Sequence, residues 1–450
     1  MAVPASPTDT FGNRFLEAGS RSAALYERAR KVLPGGNTRT TVFNAPHPLY
    51  LTSGEGFHVT DADGQTRLDF LNNYTSLLHG HAHPKVLAAA QAQLARGTAF
   101  AGPTELEVEL AEIITGRVPA IERIRFTNSG TEGVMMAMKA ARGYTGRPKI
   151  AKFEGFYHGT YDPAEVSVNP ALTAAGAPDE PTAVSETAGL APGTLENTVV
   201  LPYNNPAAVR RIIEREAANI AAVIVDPLPN NVGFPDPEPG FLQFLRELTR
   251  QHGILLIADE IISFRIAYEG ASARFGITPD LITLGKIIGG GLPVGAVGGS
   301  AEVMSVFDPS AGKPRVPHGG TFNANAVTMA AGIAAMQLWD QQAVGRLEAL
   351  GNDLRQRANW VLDESGLPFK VTGQASLFRI MPKQAGAEYR SGVPDAAAQA
   401  QRRELHLRLL GQGILTSPTG LGCLSTIMAD EQVTEVVEAI RSATAGMTKT

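Results

Sequence analysis

The chain has 450 residues, of which 44% are hydrophobic and 18% charged, and its formal net charge is -5. This balance is typical of a folded globular protein and gives no reason to expect a nucleic-acid or membrane surface. A single cysteine excludes an intrachain disulfide, and no Cys/His spacing predicts a metal site. Because neither a signal peptide nor a membrane span is predicted, we expect a cytoplasmic protein.

The first 69 residues predict a helix and a hairpin. The helix is expected over Leu16–Val32, because Pro34 and the two glycines after it cannot continue one. The alternating stretch Gly54–Gly64, which closes in a turn, is typical of a β-hairpin. Since the chain exceeds the usual size of a single core, we assign residues 1–69 to a smaller domain that the C-terminal part completes.

Residues 70–336 alternate between short apolar runs and helical patterns. Strands are predicted over Arg123–Thr127, Lys149–Phe153, Thr198–Leu201, Ala221–Asp226, Ile254–Ala258, Leu281–Leu284 and Val294–Gly298. Helices are predicted over Val86–Arg96, Glu105–Val118, Thr131–Tyr144, Ala207–Ala217 and Phe241–His252. We therefore expect a large α/β domain with a mostly parallel mixed sheet flanked by helices.

Two further segments follow other patterns. Residues 167–197 are rich in Ala, Pro, Thr and Gly and predict a long loop near the site. Residues 337–450 predict a smaller α+β domain. Its helices are expected over Gln341–Glu364, Asp395–Gly411 and near Glu431–Thr444, with short strands around Ser376–Ile380 and Gly413–Thr416.

Lys286 is the first candidate for chemistry. It follows the apolar strand Leu281–Leu284 and precedes three consecutive glycines, 289–291. A lysine just past a buried strand lies where an α/β sheet opens its ligand crevice, and the glycines let a bulky group approach the backbone. Such a lysine can form an imine with an aldehyde cofactor and move protons when neutral. A surface lysine at a strand end is the alternative.

Asp259 and Glu260 follow the strand Ile254–Ala258. A carboxylate at a buried strand end is costly unless it is paired, and the protonated ring nitrogen of pyridoxal 5'-phosphate (PLP) is a suitable partner. A helix N-cap or a structural ion pair is the alternative. One strand–loop–helix–strand excursion separates Asp259 from Lys286, which predicts that both lie at the same sheet edge.

Ser129, Gly130 and Thr131 follow the strand Arg123–Thr127 and open a helix. Amides at a helix N-terminus, together with two hydroxyls, predict a phosphate cradle. Ser129 and Glu132 also have the spacing of plain helix capping, so that interpretation stays open.

Two more motifs complete the set of candidates. Tyr157 and His158 come shortly after the strand Lys149–Phe153, where an aromatic ring can stack on a pyridine ring or belong to the core. Thr321 follows two glycines and precedes a helix, which makes it another candidate phosphate contact.

The order of these motifs is more specific than any one of them: phosphate turn, aromatic, acid, lysine, then Gly-Thr. In this order the chain resembles the class III aminotransferases, closest to the glutamate-1-semialdehyde aminomutase branch. The resemblance covers about Ala24 to Met428. The stretch from Ala258 to Ala296, which contains Asp259 and Lys286, is very close to that branch.

The resemblance implies a fold-type I enzyme that uses PLP. It implies a Schiff-base lysine, a pyridinium partner, a phosphate site and a ring-stacking aromatic, which would be Lys286, Asp259, Ser129-Gly130-Thr131 and Tyr157, with His158 beside the ring. In this family the threonine matching Thr321 reaches the phosphate of the neighbouring subunit. An obligate homodimer with shared active sites is therefore expected.

The C-terminal region separates two reactions within the family. The mutase pattern has a Phe-Glu-Ala-like stretch after a Pro-Ser pair, whereas residues 416–424 contain no acid. This region resembles instead the β-amino-acid (β-phenylalanine) aminotransferases, in which the arginine matching Arg39 binds the substrate carboxylate. A surface salt bridge is the alternative for Arg39. Those relatives often carry an acceptor-binding arginine at the position of Thr419, and milder departures lie at Gly133, Asp226 and Ser263.

We therefore expect a ping-pong transaminase that moves an amino group from a β-amino acid or related amine to a keto acid. Glutamate-1-semialdehyde 2,1-aminomutase is the alternative, and a PLP racemase or epimerase is a further one. A non-catalytic PLP-fold binding module is the alternative from another class. The sequence leaves open the donor, the acceptor, the stereochemistry, assembly beyond a dimer and whether residues 167–197 close over the site.

Overall fold

The alternation of strands and helices produces a central sheet with helices on both faces. The structure is a computed structural model and describes residues 10–384, 386 and 389–447. The strands are β1 Leu51–Glu55, β2 His58–Asp61, β3 Thr66–Asp69, β4 Arg123–Thr127, β5 Lys149–Phe153, β6 Gly176–Ala177, β7 Glu180–Pro181, β8 Thr198–Leu201, β9 Ile220–Val225, β10 Leu255–Asp259, β11 Leu281–Gly285, β12 Gly295–Gly299, β13 Phe369–Thr372, β14 Leu377–Pro382, β15 Ile414–Leu415 and β16 Leu421–Cys423.

The helices vary in length from single turns to seven turns. They are α1 Arg21–Ala29, α2 Asn72–Thr75, α3 Pro84–Leu94, α4 Glu105–Arg117, α5 Gly130–Thr145, α6 Pro206–Glu216, α7 Phe241–Gln251, α8 Ala271–Arg274, α9 Ala301–Met304, α10 Ala326–Leu338, α11 Gln341–Ser365, α12 Tyr389–Gly392, α13 Ala396–Gly411 and α14 Asp430–Ala445. Within the described ranges, no helix combines the length and the apolar character that a membrane crossing requires.

The central sheet has seven strands in the order β4-β12-β11-β10-β9-β5-β8. Its pairs are parallel except that β12 lies antiparallel between β11 and β4. Six strands therefore run in one direction, and their carboxyl ends meet at one edge of the sheet. The predicted α/β fold with a mostly parallel mixed sheet is confirmed.

The sheet is buried on both faces, as its apolar strands predict. In β9 the side chain of Ile224 packs in one apolar cluster with residues of α5, whereas Val223 and Val225 pack in another with residues of α6 and α7. Successive residues of a strand point to opposite faces, so one short run supplies both layers of core.

In the described part of the chain, two smaller sheets lie outside this layer, in addition to the two-stranded sheet β6-β7. One has the order β1-β2-β3-β15, so the N-terminal hairpin region pairs with a strand from the C-terminal part of the chain. The other is antiparallel, in the order β13-β14-β16. The proposed domain boundaries after residues 69 and 336 stay predictions.

Two predictions of local structure need correction, and one helix was not predicted. The first helix begins at Arg21 and not at Leu16, because Gly19 has φ +79° and the hydroxyl of Ser20 caps the helix by accepting from the amide of Ala23. The loop over residues 167–197 contains the short hairpin β6–β7. Helix α10 was not predicted, because it is buried nearly all round and its sequence lacks the apolar–polar periodicity of a surface helix.

A glycine in β12 lets the phosphate-turn segment approach the sheet. A Cβ atom added to Gly295 would lie 1.9 Å from the carbonyl oxygen of Ser129 and 2.5 Å from Oγ1 of Thr127. The backbone of Ser129, at the start of α5, can therefore lie this close to β12 only because residue 295 has no side chain.

We expect Gly295→Ala to lower the free energy of unfolding by about 1–3 kcal/mol, because overpacking displaces rigid backbone. Chemical denaturation measures this change. Gly345→Ala is the matched control, since Gly345 lies in α11 with nothing within 4 Å of an added Cβ. Equal stability of the two variants would contradict the close approach.

Candidate active site

The candidate residues converge where the parallel strands end. Ser129 follows β4, Tyr157 follows β5, Asp259 ends β10 and Lys286 follows β11. In open α/β sheets ligands bind at this edge. A cavity of about 370 Å³ lies there. It is lined by Asn73, Ser76, Asn128, Ser129, Gly130, Thr131, Tyr157, His158, Gly159, Asp226, Asp259, Ile261, Ile262, Lys286, Gly291, Leu292, Pro293 and Val294.

Lys286 has an unusual backbone and an unusual amine. Its φ of +49° is uncommon for a residue with a side chain, and such conformations cluster at functional sites. The amine donates a hydrogen bond of 2.9 Å to the carbonyl oxygen of Tyr74. Burial lowers the pKa of Lys286 to about 8, although Asp259 opposes the shift. A lysine with this pKa is neutral often enough near pH 7 to act as a base.

Asp259 is 4% exposed and accepts three hydrogen bonds. It accepts from Nδ1 of His158 at 2.7 Å, from the Thr283 hydroxyl at 3.0 Å and from the amide of Ile261 at 3.2 Å. Burial lowers the pKa of His158, although the contact with Asp259 opposes this shift. A neutral His158 that donates through Nδ1 holds the carboxylate in one orientation. The structure thus assigns His158 a direct contact with Asp259, which the sequence did not predict.

Helix α5 begins at the cavity wall. The Ser129 hydroxyl accepts from the amide of Glu132, and the Glu132 carboxylate accepts from the amide of Asn128. The capping interaction that the sequence left open is therefore present. The amides of Gly130 and Thr131 belong to the first turn and have no carbonyl one turn earlier to bind. A helix start of this kind favours an anion.

The segment from Tyr157 to Gly159 forms another part of the cavity wall. The Tyr157 side chain is 51% exposed, with its aromatic ring at the cavity. Gly159 has φ +89°, and an added Cβ would lie 2.6 Å from Oγ1 of Thr131. Only glycine allows this wall to approach the start of α5 so closely.

Arg39 and Thr321 lie outside this cavity. Arg39 lines an adjoining cavity of about 330 Å³, and Asn73 borders both cavities. The Arg39 guanidinium donates to the side-chain oxygen of Asn73 at 3.0 Å. Thr321 is exposed on a separate depression of the surface, beside Phe100 and Phe322.

Two site residues were not predicted. Asp226 follows β9 at the same sheet edge, and the rule that identified Asp259 would have found it. Its Oδ1 accepts from the Ser263 hydroxyl at 2.8 Å and from the amide of Leu228 at 3.0 Å. Asn73 belongs to a turn whose residues have positive φ. The sequence pair Asn72-Asn73 could have indicated this turn, since Asn tolerates that conformation.

A lysine, a buried carboxylate and a helix start at one cavity suit an aldehyde cofactor that has a ring nitrogen and a phosphate. Residues 41–444 match the family model of the class-III aminotransferases, and the chain belongs to that family. It is 39% identical to a glutamate-1-semialdehyde 2,1-aminomutase of Methanothermobacter thermautotrophicus, over 95% of this chain and 99% of that protein.

Solved structures extend the comparison. An omega-transaminase from Sphaerobacter thermophilus is 52% identical with a TM-score of 0.93, over 96% of this chain and 99% of that one. A β-phenylalanine aminotransferase from Variovorax paradoxus is 37% identical with a TM-score of 0.86, over 97% of this chain and 96% of that one. A transaminase with PLP bound is 43% identical with a TM-score of 0.88, over 94% and 97% of the two chains.

The cofactor of this enzyme is therefore PLP, and the cavity fits it. A buried carboxylate faces the cavity beside a lysine, and a helix start, whose first amides have no intrahelical partner, lies within the same walls. Nε2 of His158 is also buried without a hydrogen-bond partner in the described part of the chain. These groups match the ring nitrogen, the aldehyde and the phosphate of PLP in kind.

We expect Asp226→Asn to change how stability depends on pH. Burial, and next the neighbouring Asp259, raise the pKa of Asp226 well above its ordinary value. The carboxyl therefore keeps its proton to a higher pH in the folded protein than in the unfolded chain. Its contribution to stability is complete below about pH 4 and is lost as the pH rises, by up to about 1.4 kcal/mol per pH unit.

An asparagine is neutral at every pH and avoids this loss. The variant should gain stability relative to the parent as the pH rises above about 4, as measured by urea denaturation at several pH values. Glu435→Gln, on the exposed side of α14, is the control and should follow the parent. Parallel curves for Asp226→Asn and the parent would show that Asp226 is ionised in the folded protein.

Proposed function

We propose that this enzyme transfers an amino group from an amine that carries a carboxylate, such as a β-amino acid, to a keto acid. The observation that carries the proposal is the place of Arg39, in a largely apolar cavity next to that of Lys286. An arginine fork binds a carboxylate through two parallel hydrogen bonds. Apolar side chains around it can receive the remainder of the substrate; they are Val42, Leu49, Leu71, Leu410, Leu415 and Pro418.

Lys286 and Asp259 are the proposed catalytic residues. When bound, PLP supplies an electron sink and an aldehyde that carries the amino group between the two half-reactions. Asp259 would keep the proton on the ring nitrogen, and its bonds to His158 and Thr283 fix the carboxylate for this task. Lys286, as a neutral amine, would take the proton from the substrate carbon that bears nitrogen. Base catalysis of this kind contributes roughly 10²- to 10⁴-fold.

The other walls of the cavity would hold the cofactor in place. We assign the phosphate to the amides and hydroxyls of Ser129, Gly130 and Thr131, and the face of the ring to Tyr157. Charge favours the phosphate at this helix start, and an aromatic face suits a flat pyridine ring. The hydroxyl of Ser129 also caps α5, so binding a phosphate there would be an additional task.

We also propose a cytoplasmic homodimer in which Thr321 completes the phosphate site of the other subunit. Thr321 lies outside the cavity of its own chain and on the surface, which suits contact with a second copy. The exposed Phe100 and Phe322 next to it are apolar surface of the kind that interfaces cover.

A second candidate is the intramolecular aminomutase. The curated relatives carry this name, with identities of 39% in Methanothermobacter thermautotrophicus and in Aeropyrum pernix. Their names support the aminomutase better than the transamination of a β-amino acid. The solved structures at 52% and 43% identity are named transaminases. An aminomutase needs no separate acceptor, and this difference separates the two reactions.

Absorbance of the holoenzyme decides between them. We expect 3-amino-3-phenylpropanoate to bleach the visible band of the cofactor, and 2-oxoglutarate or pyruvate to restore it. Conversion of glutamate 1-semialdehyde without any added keto acid, together with no response to the β-amino acid, would establish the aminomutase instead.

Lys286→Ala should abolish turnover, because the side chain that moves the proton is lost. The variant should still bind PLP, more loosely, through the phosphate contacts. Steady-state rates and equilibrium dialysis measure the two effects. Activity close to that of the parent would refute the assignment of Lys286.

Arg39→Ala should act selectively on substrates that carry a carboxylate. We expect kcat/KM for 3-amino-3-phenylpropanoate to fall about 10- to 100-fold, since a charge-assisted bond is worth roughly 1.5–3 kcal/mol. The value for 1-phenylethylamine, which has no carboxylate, should stay the same. An equal loss for both amines would give Arg39 a structural role.

A further inference from the structure

The turn formed by α2, Asn72–Thr75, has a left-handed backbone throughout. Its four residues have φ values of +48°, +47°, +54° and +71°, and none of them is glycine. Left-handed conformations are unfavourable for L-residues and normally occur at single positions. Four in succession persist only where the surroundings enforce them, and such strain concentrates at functional sites.

Buried hydrogen bonds from distant parts of the chain enforce this turn. The Asp69 carboxylate accepts from the amides of Leu71 and Asn72 at 2.8 and 2.9 Å. The Asn72 side chain donates to the carbonyl oxygen of Cys423 at 3.0 Å, and Arg265 donates to that of Thr75 at 2.9 Å. Both ends of the turn are therefore fixed to the core.

The middle of the turn contacts two cationic side chains of the substrate region. The side-chain oxygen of Asn73 accepts from the Arg39 guanidinium at 3.0 Å, and the carbonyl oxygen of Tyr74 accepts from the Lys286 amine at 2.9 Å. The Tyr74 ring lies 5.8 Å from the guanidinium carbon, and its hydroxyl donates to the carbonyl oxygen of Thr41 at 2.6 Å. Two adjacent residues, Asn73 and Tyr74, thus bind the guanidinium of Arg39 and the amine of Lys286.

We propose that Asn73 is a specificity-determining positioning residue, and that the left-handed turn fixes the separation between the Lys286 amine and the Arg39 guanidinium. The enzyme then selects amino acids by the distance between their amino group and their carboxylate. This inference rests on the proposed role of Arg39 as the carboxylate-binding residue. The geometry also explains the strain, because a right-handed turn would send the Asn73 side chain and the Tyr74 carbonyl in other directions.

Two substitutions of Asn73 distinguish the effect of losing its side chain from the effect of straining its backbone. Asn73→Ala and Asn73→Gly both remove the contact with Arg39, but only glycine adopts φ +47° without strain. Asn73→Gly should therefore unfold at a higher temperature than Asn73→Ala. If the side-chain contact positions Arg39, both variants should nevertheless lose carboxylate recognition to the same extent.

The first measurement is binding of 3-phenylpropanoate, which has a carboxylate and no amine, by calorimetry on the holoenzyme. We expect the Kd to be about ten-fold higher in both Asn73 variants, which corresponds to the loss of one hydrogen bond to a charged group. The second is KM for 3-amino-3-phenylpropanoate, which should rise by about the same factor while kcat changes less than about two-fold. KM for 1-phenylethylamine, which has no carboxylate, should rise by a clearly smaller factor than KM for the β-amino acid.

Arg39→Ala, measured alongside, keeps the two hypotheses apart. If Arg39→Ala weakens 3-phenylpropanoate but neither Asn73 variant does, the positioning role is wrong and the proposed function stands. If Asn73→Ala weakens it and Asn73→Gly does not, backbone strain rather than the side chain positions Arg39, and the role given to Asn73 is overturned. If Arg39→Ala itself binds 3-phenylpropanoate as the parent does, the carboxylate site of the proposed function is wrong.

Discussion

Parallel pairing of β10 with β11 is the constraint on which the site depends. The pairing sets Asp259 opposite Thr283, so the carboxylate lies one strand away from the lysine that follows β11. Thr283 then donates its hydroxyl to Asp259, which makes the register of the sheet part of the electrostatics of the site. A shift by one residue would turn Asp259 to the other face of the sheet.

Burial of acidic groups at this edge has consequences for every neighbour. Three acidic residues lie at the ends of the neighbouring strands β9 and β10, and each is less than 9% exposed: Asp226, Asp259 and Glu260. Hydrogen bonds compensate in part, since Glu260 accepts from the amides of Ala271 and Ser272. Burial still raises the pKa of Asp226 and of Glu260, because isolated charges are costly away from water. Asp259, which accepts three hydrogen bonds, is the acid at this edge that suits a cationic ring.

Much of this site followed from position along the chain. Lys286, Asp259 and Ser129 each come directly after a predicted strand, and parallel strands bring such positions to one edge whatever the intervening loops do. The contact between His158 and Asp259 did not follow, because it joins residues that are 101 positions apart through side-chain directions. Helix α10 was missed for a related reason, since burial on all sides removes periodicity from its sequence.

The sequence by itself determined the fold class and the strand-end positions of the lysine and the acid, because apolar periodicity and local turn residues encode them. It indicated the family through a resemblance in the order of its motifs. Only the tertiary structure decided that all four residues of Asn72–Thr75 are left-handed and that this turn contacts both Arg39 and Lys286. These features depend on hydrogen bonds between distant segments. Such bonds overrule the preference of Tyr74 and Thr75 for right-handed backbone, and no local pattern indicates a left-handed conformation at these two residues.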